Sequence, residues 1–404
     1  MKPDPKIKKD PKLNRRRFVG SGAIGLGLLS AGGLAGWFSS RSNRGADPAK
    51  PNRPALDPRF TYDVSRFAHT DPALLRYSES AAIPTGLADP SCLAVGADDL
   101  IFLGGDQAVK AMSPEGELRF TVSLAERPQA LLPMDRSAEH RLGSLGATVR
   151  QPAGAVPGAP IPDLLGVKQS ASHSELPLDD GQLLVAMADH LEIYDHSGRQ
   201  LLKGESLGER VFLTSVAAGG GHIFAADAGN REVIRCDAHG RVLARFGRVG
   251  AKDGTPGFVV PSPYFDLHYG ADGLLWVANP GRHRLEAYTP EGQFELSWGS
   301  TSMAVEGFCG CCNPVHFTRL ADGRFVTSEK GLNRIKLHDA QGNFAGVVAG
   351  PETLVKDLEL ARQACANCHI GFGFDVACDS KDRVLALDPA TKTIRVFTPK
   401  TAAA

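Results

Sequence analysis

Eight cysteines are spread over the 404 residues, and five of them crowd into two short stretches. Cys309, Cys311 and Cys312 lie in EGFCGCCNPVHF (306–317), and Cys365 and Cys368 lie in CANCH, which ends at His369. Thiolates are soft ligands suited to iron–sulfur clusters, zinc or cuprous copper. Five clustered thiols would supply the usual four ligands of such a centre with one to spare. An iron–sulfur centre is the first expectation, although C-x-C-C followed by C-x-x-C is not ferredoxin spacing. CANCH is also the Cys-x-x-Cys-His pattern of covalent haem attachment, with Cys365 and Cys368 holding the vinyl groups and His369 as the proximal ligand. The distal side would then come from His316, Met303 or the cysteine loop. In an oxidising compartment the same thiols could instead pair as disulfides. All three chemistries stay open at this point. His316, four residues beyond Cys312, is a candidate additional ligand. Lys330 offers an ammonium to offset thiolate charge.

Other chemistry is less visible. No Ser-His-Asp set, carboxylate pair, phosphate loop or zinc-protease motif stands out, so the sequence leaves open whether the protein is an enzyme. Lysine plus arginine and aspartate plus glutamate both total 45, a formal charge of zero. A protein with that balance has no electrostatic footprint for nucleic acid. Cys92, Cys236 and Cys378 stand singly and read as small packing residues.

The elements that must carry the two cysteine stretches emerge from an internal repeat. Five segments share one layout: LIFLGGDQAVKAMSPEGEL, LLVAMADHLEIYDHSGRQL, HIFAADAGNREVIRCDAHGRVL, LLWVANPGRHRLEAYTPEGQFEL and RFVTSEKGLNRIKLHDAQGNF. Each is an apolar strand, a polar turn, an alternating strand, an x-Gly turn and another strand. A sixth copy, RVLALDPATKTIRVFTPK, ends the chain. Period-two alternation with closely spaced turns marks an antiparallel all-β fold. Gly198, Gly240, Gly292 and Gly342 recur 42, 52 and 50 residues apart, the size of one four-stranded propeller blade plus insertions.

GHIFAADAGNREVIRCDAHGRVLARFG (221–247), with its Asp-x-x-Asn-Arg turn and closing Phe-Gly, resembles the NHL-repeat β-propellers. The resemblance covers residues 74–400 and implies a six-bladed propeller, a scaffold used by receptors, binding platforms and enzymes alike. The sixth copy lacks an outer strand, and LLRYSESAAIPT (74–85) is expected to supply it. Insertions fall at about 134–178 and 351–371, the second containing CANCH and a short amphipathic helix over 353–366.

On such a fold, blade-to-blade linkers share one face with the loops between second and third strands. GFCGCCNP links the fourth blade to the fifth, and CANCHIGFG links the fifth to the sixth. The two cysteine stretches are therefore expected at neighbouring positions on one rim. Asp227, Asn279, Glu329 and Asp388 begin the adjacent loops and are expected to bond mainly to backbone.

The N-terminus speaks to compartment. Residues 1–17 hold eight Lys or Arg against two Asp, and 18–40 carry no charge but seven glycines. Asn14-Arg15-Arg16-Arg17-Phe18-Val19 resembles the twin-arginine export consensus, which implies export of a folded chain. Residues 1–40 are thus read as a signal or a membrane anchor through 18–40, 41–73 as linker, and 74–400 as the propeller. The expected location is the periplasm or the periplasmic face of the inner membrane, with a protein partner in the cell envelope.

Overall fold

The computed structural model describes residues 67, 69–96, 98–134, 181–195, 197–252, 254–310, 312–356 and 372–400. The chain divides into two units, Met1–Tyr62 and Asp63–Ala404. The first unit, with the export and anchor expectations, lies outside the described residues. So do Cys311, Cys365, Cys368, His369, nearly all of the 134–178 insertion and most of the 353–366 helix.

Among the described residues, twenty-four strands form six separate four-stranded antiparallel sheets. β1 (Tyr77–Pro84) leaves its sequence neighbours to join the last sheet. Blade one is β2 (Pro90–Val95), β3 (Ile101–Gly105), β4 (Ala108–Met112) and β5 (Leu118–Ser123). Blade two is β6 (Ala130–Pro133), β7 (Leu183–Ala186), β8 (Leu191–Tyr194) and β9 (Gln200–Lys203). Blade three is β10 (Leu213–Gly219), β11 (His222–Asp227), β12 (Glu232–Cys236) and β13 (Val242–Phe246). Blade four is β14 (Leu267–Tyr269), β15 (Leu275–Asn279), β16 (Arg284–Tyr288) and β17 (Phe294–Trp298). Blade five is β18 (His316–Arg319), β19 (Phe325–Glu329), β20 (Arg334–His338) and β21 (Phe344–Ala349). Blade six is β22 (Asp375–Cys378), β23 (Val384–Asp388) and β24 (Thr393–Pro399), with β1 as its outer strand.

The first strands touch one another in cyclic order, β2, β6, β10, β14, β18, β22 and back to β2, so the sheets close into a six-bladed β-propeller. The sixth blade is completed by a strand that precedes the first blade in sequence. β1 runs antiparallel to β24 from Tyr77 opposite Pro399 to Pro84 opposite Thr393. The expected outer strand of the sixth blade is there.

Burial explains the strand patterns. Second strands lie between neighbouring blades and are covered on both faces, so β15 (LWVAN) and β19 (FVTSE) are buried throughout. Outer strands face solvent, and β17 is exposed or half-buried along its length. Apolar clusters form between blades. Trp276 and Leu285 of blade four pack with Phe317 and Phe325 of blade five, each buried side chain contributing about 1.5–3 kcal/mol. The repeating x-Gly turns belong to the same packing. Gly342 has φ +86°, and a Cβ there would meet the Trp298 ring at 2.2 Å, so only glycine lets the turn approach the preceding blade.

The helix expected over 353–366 is described only at Pro351–Leu354. Cys92, Cys236 and Cys378 lie in β2, β12 and β22 as free thiols within or against apolar clusters. Burial pushes the Cys92 and Cys236 thiols up to about 12.

Candidate functional site

The cysteine loop between β17 and β18 is held from several sides. Residues at the ends of second strands grip the incoming linkers. Asp227 Oδ1 accepts from Phe212 N at 3.0 Å, Asn279 Oδ1 from Val259 N at 2.9 Å, and Glu329 Oε1 from Cys309 N at 2.9 Å. Asp106, just past β3, does the same for Ala88 N and Asp89 N. Asp388 accepts from its own turn, Ala390 N and Thr391 N. The polar ring read from the sequence is therefore mostly backbone support. In blade five that support falls on a cysteine.

Asn313 fastens the far side of the loop. Its Nδ2 donates to Cys309 O at 2.7 Å and Lys330 O at 3.0 Å, and its Oδ1 accepts from Lys330 N at 2.9 Å. His283 of blade four reaches across, its Nε2 lying 2.7 Å from Gly310 O while Nδ1 lies 3.0 Å from Thr301 Oγ1. The tautomer that satisfies both carries its proton on Nε2.

This framing encloses a recess of about 150 Å³ lined by Met303, Cys309, Cys312, Asn313, Lys330 and Leu332 among others. Cys309 and Cys312 are 3% and 2% exposed. Burial, then the Glu329 charge, pushes the Cys309 thiol up, with Arg334 and Lys336 opposing. Cys309 thus becomes a thiolate most readily when a bound cation displaces its proton.

Beneath the loop lies a charged group of which sequence reasoning singled out Glu329 alone. Glu329 is fully buried and is met by Arg334 Nε at 2.8 Å and Lys336 Nζ at 3.3 Å. Lys336 Nζ also donates to Gly307 O at 2.6 Å and sits 4.2 Å over the Phe308 ring. Burial lowers Lys336 to about 8, with Glu329 opposing the fall. Arg334 Nη1 donates to Met303 O at 3.3 Å, while its buried Nη2 has no hydrogen-bond partner among the described residues. The signal for Lys336 was present in the repeats. RLEAY in β16 aligns with RIKLH in β20, so Lys336 stands where blade four has Glu286.

The other candidates divide. Lys330 contributes to the recess wall, but its ammonium bonds Ser262 Oγ at 2.9 Å and lies 4.6 Å over the Tyr264 ring. His316 opens β18 toward different neighbours. Its Nδ1 lies 3.6 Å from Asp375 Oδ1 and 3.7 Å from Asp266 Oδ2, and its ring meets Tyr264 edge-on. Asp266, Tyr264 and Asp375 come from or beside the adjoining blades. Burial pushes Asp375 up to about 6, Asp266 adding to the rise and His316 opposing it. Burial disfavours the His316 cation, but Asp375 and Asp266 outweigh it and the imidazole is raised. The two rises describe one coupled group that takes up a proton more readily than its members would apart.

The second cysteine stretch, with Cys311 of the first, lies outside the described residues. The chain returns from that stretch at Phe372, whose carbonyl accepts from Asn333 Nδ2 at 2.7 Å. Gly373 N follows, donating to Tyr264 Oη at 3.3 Å. Asn333 belongs to the same short β19–β20 turn as Lys330 and Leu332, which line the recess. Among the described residues, no three His, Cys, Asp or Glu side chains converge as a metal-ligand group. The two described thiols suit a soft metal as a partial donor set.

No family model matches the chain, and no curated protein does. Likeness extends to fold comparisons alone. A streptogramin B lyase structure aligns over 82% of this chain and 100% of its own at 10% identity, TM-score 0.47. A structural-genomics protein of unknown function from Bacteroides thetaiotaomicron aligns over 80% of this chain and 72% of its own, with 12% identity and TM-score 0.47. A protein of unknown function from Bacteroides caccae aligns over 64% and 81%, with 12% identity and TM-score 0.42. At these identities and scores no activity passes to this chain. The propeller architecture rests on its own strand pairing.

Proposed function

We propose that this protein is an exported, NHL-type β-propeller of the cell envelope that carries a thiolate-ligated metal or redox centre on its linker face. Its role would be electron transfer or docking of an envelope partner. The twin-arginine signal supports export of the folded chain, released to the periplasm or anchored through residues 18–40. Cys309, Cys311 and Cys312 from one linker and Cys365 and Cys368 from the next would supply thiolates. His369 and His316 are further candidate ligands, and Lys330 a nearby cation. An iron–sulfur cluster is the first occupant to test, with zinc, copper and covalent haem as alternatives.

One observation carries the reading. Glu329 holds the backbone of Cys309, 20 residues before it, as Asn279 holds Val259, 20 residues before it, in the preceding blade. The next linker along the chain, between blades five and six, carries Cys365 and Cys368. Two successive linkers that both carry cysteine are what a shared centre would need, and that supports the reading.

The test is absorption, metal content and free-thiol count on protein purified without oxygen from its native compartment. A broad charge-transfer band with iron and acid-labile sulfide supports a cluster, and a sharp Soret peak supports haem. Bound zinc or copper supports a colourless centre. No metal and paired thiols would replace the reading with a disulfide-stapled scaffold. Cys311→Ser and Cys368→Ser should each abolish the same occupant. Full retention in either variant would show that the two linkers do not share a site.

A further inference from the structure

The cysteine loop is held differently on its two sides. Its inner bonds come from buried side chains, Glu329 accepting from Cys309 N and Asn313 Nδ2 donating to Cys309 O. Its outer bond comes from His283, whose Nε2 lies 2.7 Å from the carbonyl of exposed Gly310. Local packing does little to hold that peptide. A Cβ on Gly310 would meet nothing nearer than Asn313 Nδ2 at 3.9 Å, whereas one on Gly307 would run into Ser302 and one on Gly299 into the His283 carbonyl. The linker is wedged on its way in and loose at Gly310.

His283 is built for this contact. It ends the turn between β15 and β16 in a left-handed conformation, φ +56°. Arg231 and Lys392 hold the same place before the third strands of blades three and six, also left-handed, and both are exposed. His283 is instead half-buried, and Thr301 Oγ1, 3.0 Å from Nδ1, braces the ring. Thr301 is itself bridged to Phe308 of the same linker. We infer that His283 is the latch of the recess: its bond to Gly310 keeps the loop closed over Cys309 and Cys312, and a ligand enters when that bond opens. The thiols are 3% and 2% exposed, so access needs a local opening. The outer bond opens at least cost because water replaces it, whereas the inner ones would leave buried groups unpaired. The latch stands on the geometry of the loop. That the entering ligand is a soft cation rests on the thiolate-centre reading.

Two probes separate the latch from the occupant. The full chain, reduced and metal-free, is treated with iodoacetamide, and labelling of Cys309 and Cys312 is followed by mass spectrometry in wild type, His283→Ala, His283→Gln and Thr301→Val. His283→Ala should label about three- to tenfold faster at both positions, the weight of one net hydrogen bond. His283→Gln keeps a donor near the place of Nε2 and should stay within about twofold of wild type. Thr301→Val unbraces the ring and should fall between. Cys92 and Cys236, buried in other blades, should stay protected throughout. The same proteins are then mixed with Cd²⁺, whose bonds to thiolate give an ultraviolet band that is followed in time. His283→Ala should bind and release Cd²⁺ faster with affinity little changed. A residue that merely positions the thiols would weaken affinity without speeding entry. That pattern, or unchanged labelling in His283→Ala, overturns the latch. If His283→Ala exposes Cys92 and Cys236 as well, Thr301→Val decides, and unchanged labelling there overturns it. Faster labelling with no Cd²⁺ band in any of the proteins supports the latch and overturns the thiolate-centre reading.

Discussion

Glu329 Oε1 accepts the backbone N–H of Cys309 at 2.9 Å while its other oxygen faces Arg334 and Lys336. One buried carboxylate thus anchors the cysteine loop and partly neutralises the cations below it. Several outcomes follow from that group and from the ring around it.

Glu329→Ala removes the acceptor for Cys309 N and leaves two buried cations unpaired. Breaking a buried ion pair by deleting one partner costs about 3–5 kcal/mol. Urea denaturation should show a loss of that size. A change below about 1 kcal/mol would mean that water reaches the group and the anchoring argument fails.

Cys92 and Cys236, raised to about 12 by burial, should resist alkylation in the folded protein at pH 8 and react fully only after denaturation. Mass spectrometry of tryptic peptides reads both states. Rapid native labelling at either position would contradict their placement in the apolar clusters.

Asp375 is raised from 3.8 to about 6, so the folded chain holds its proton more tightly than the unfolded chain does. Its favourable contribution is complete below pH 3.8 and is lost as pH rises toward 6. His316 is raised too and acts in the same direction, its contribution fading as pH rises through its folded value. Relative to wild type, Asp375→Asn should gain stability as pH climbs from about 4 to about 6. Parallel melting-temperature profiles for the two proteins would refute this.

Deleting residues 77–84 removes β1 and leaves the edge of β24 unpaired. Open strand edges template association. The truncated chain should elute as aggregates on size exclusion where the full chain does not. A monodisperse, normally melting product would show that blade six stands without its outer strand.

Much of the scaffold was legible because it is local and repeated. Alternation with period two, x-Gly turns about fifty residues apart and the incomplete sixth copy identified the blades and their closing strand, down to β1 against β24. Glycine at the x-Gly turns was visible as spacing, whereas its cause, the approach of Gly342 to Trp298, needed coordinates. Lys336 and its repeat partner Glu286 are charged residues in strands, where sequence alone does not separate solvated from buried, and both are fully buried. His316 could be flagged by type but not by company.

From the order of residues alone came the cysteine stretches and the linkers that hold them, since strand periodicity is set by neighbours along the chain. Which charges surround those linkers was decided only when the ring closed. Asp266, His316 and Asp375 come from three blades, and Arg334 reaches Met303 across more than thirty residues. Such contacts depend on how whole sheets pack, and packing obeys the shape and burial of every blade at once.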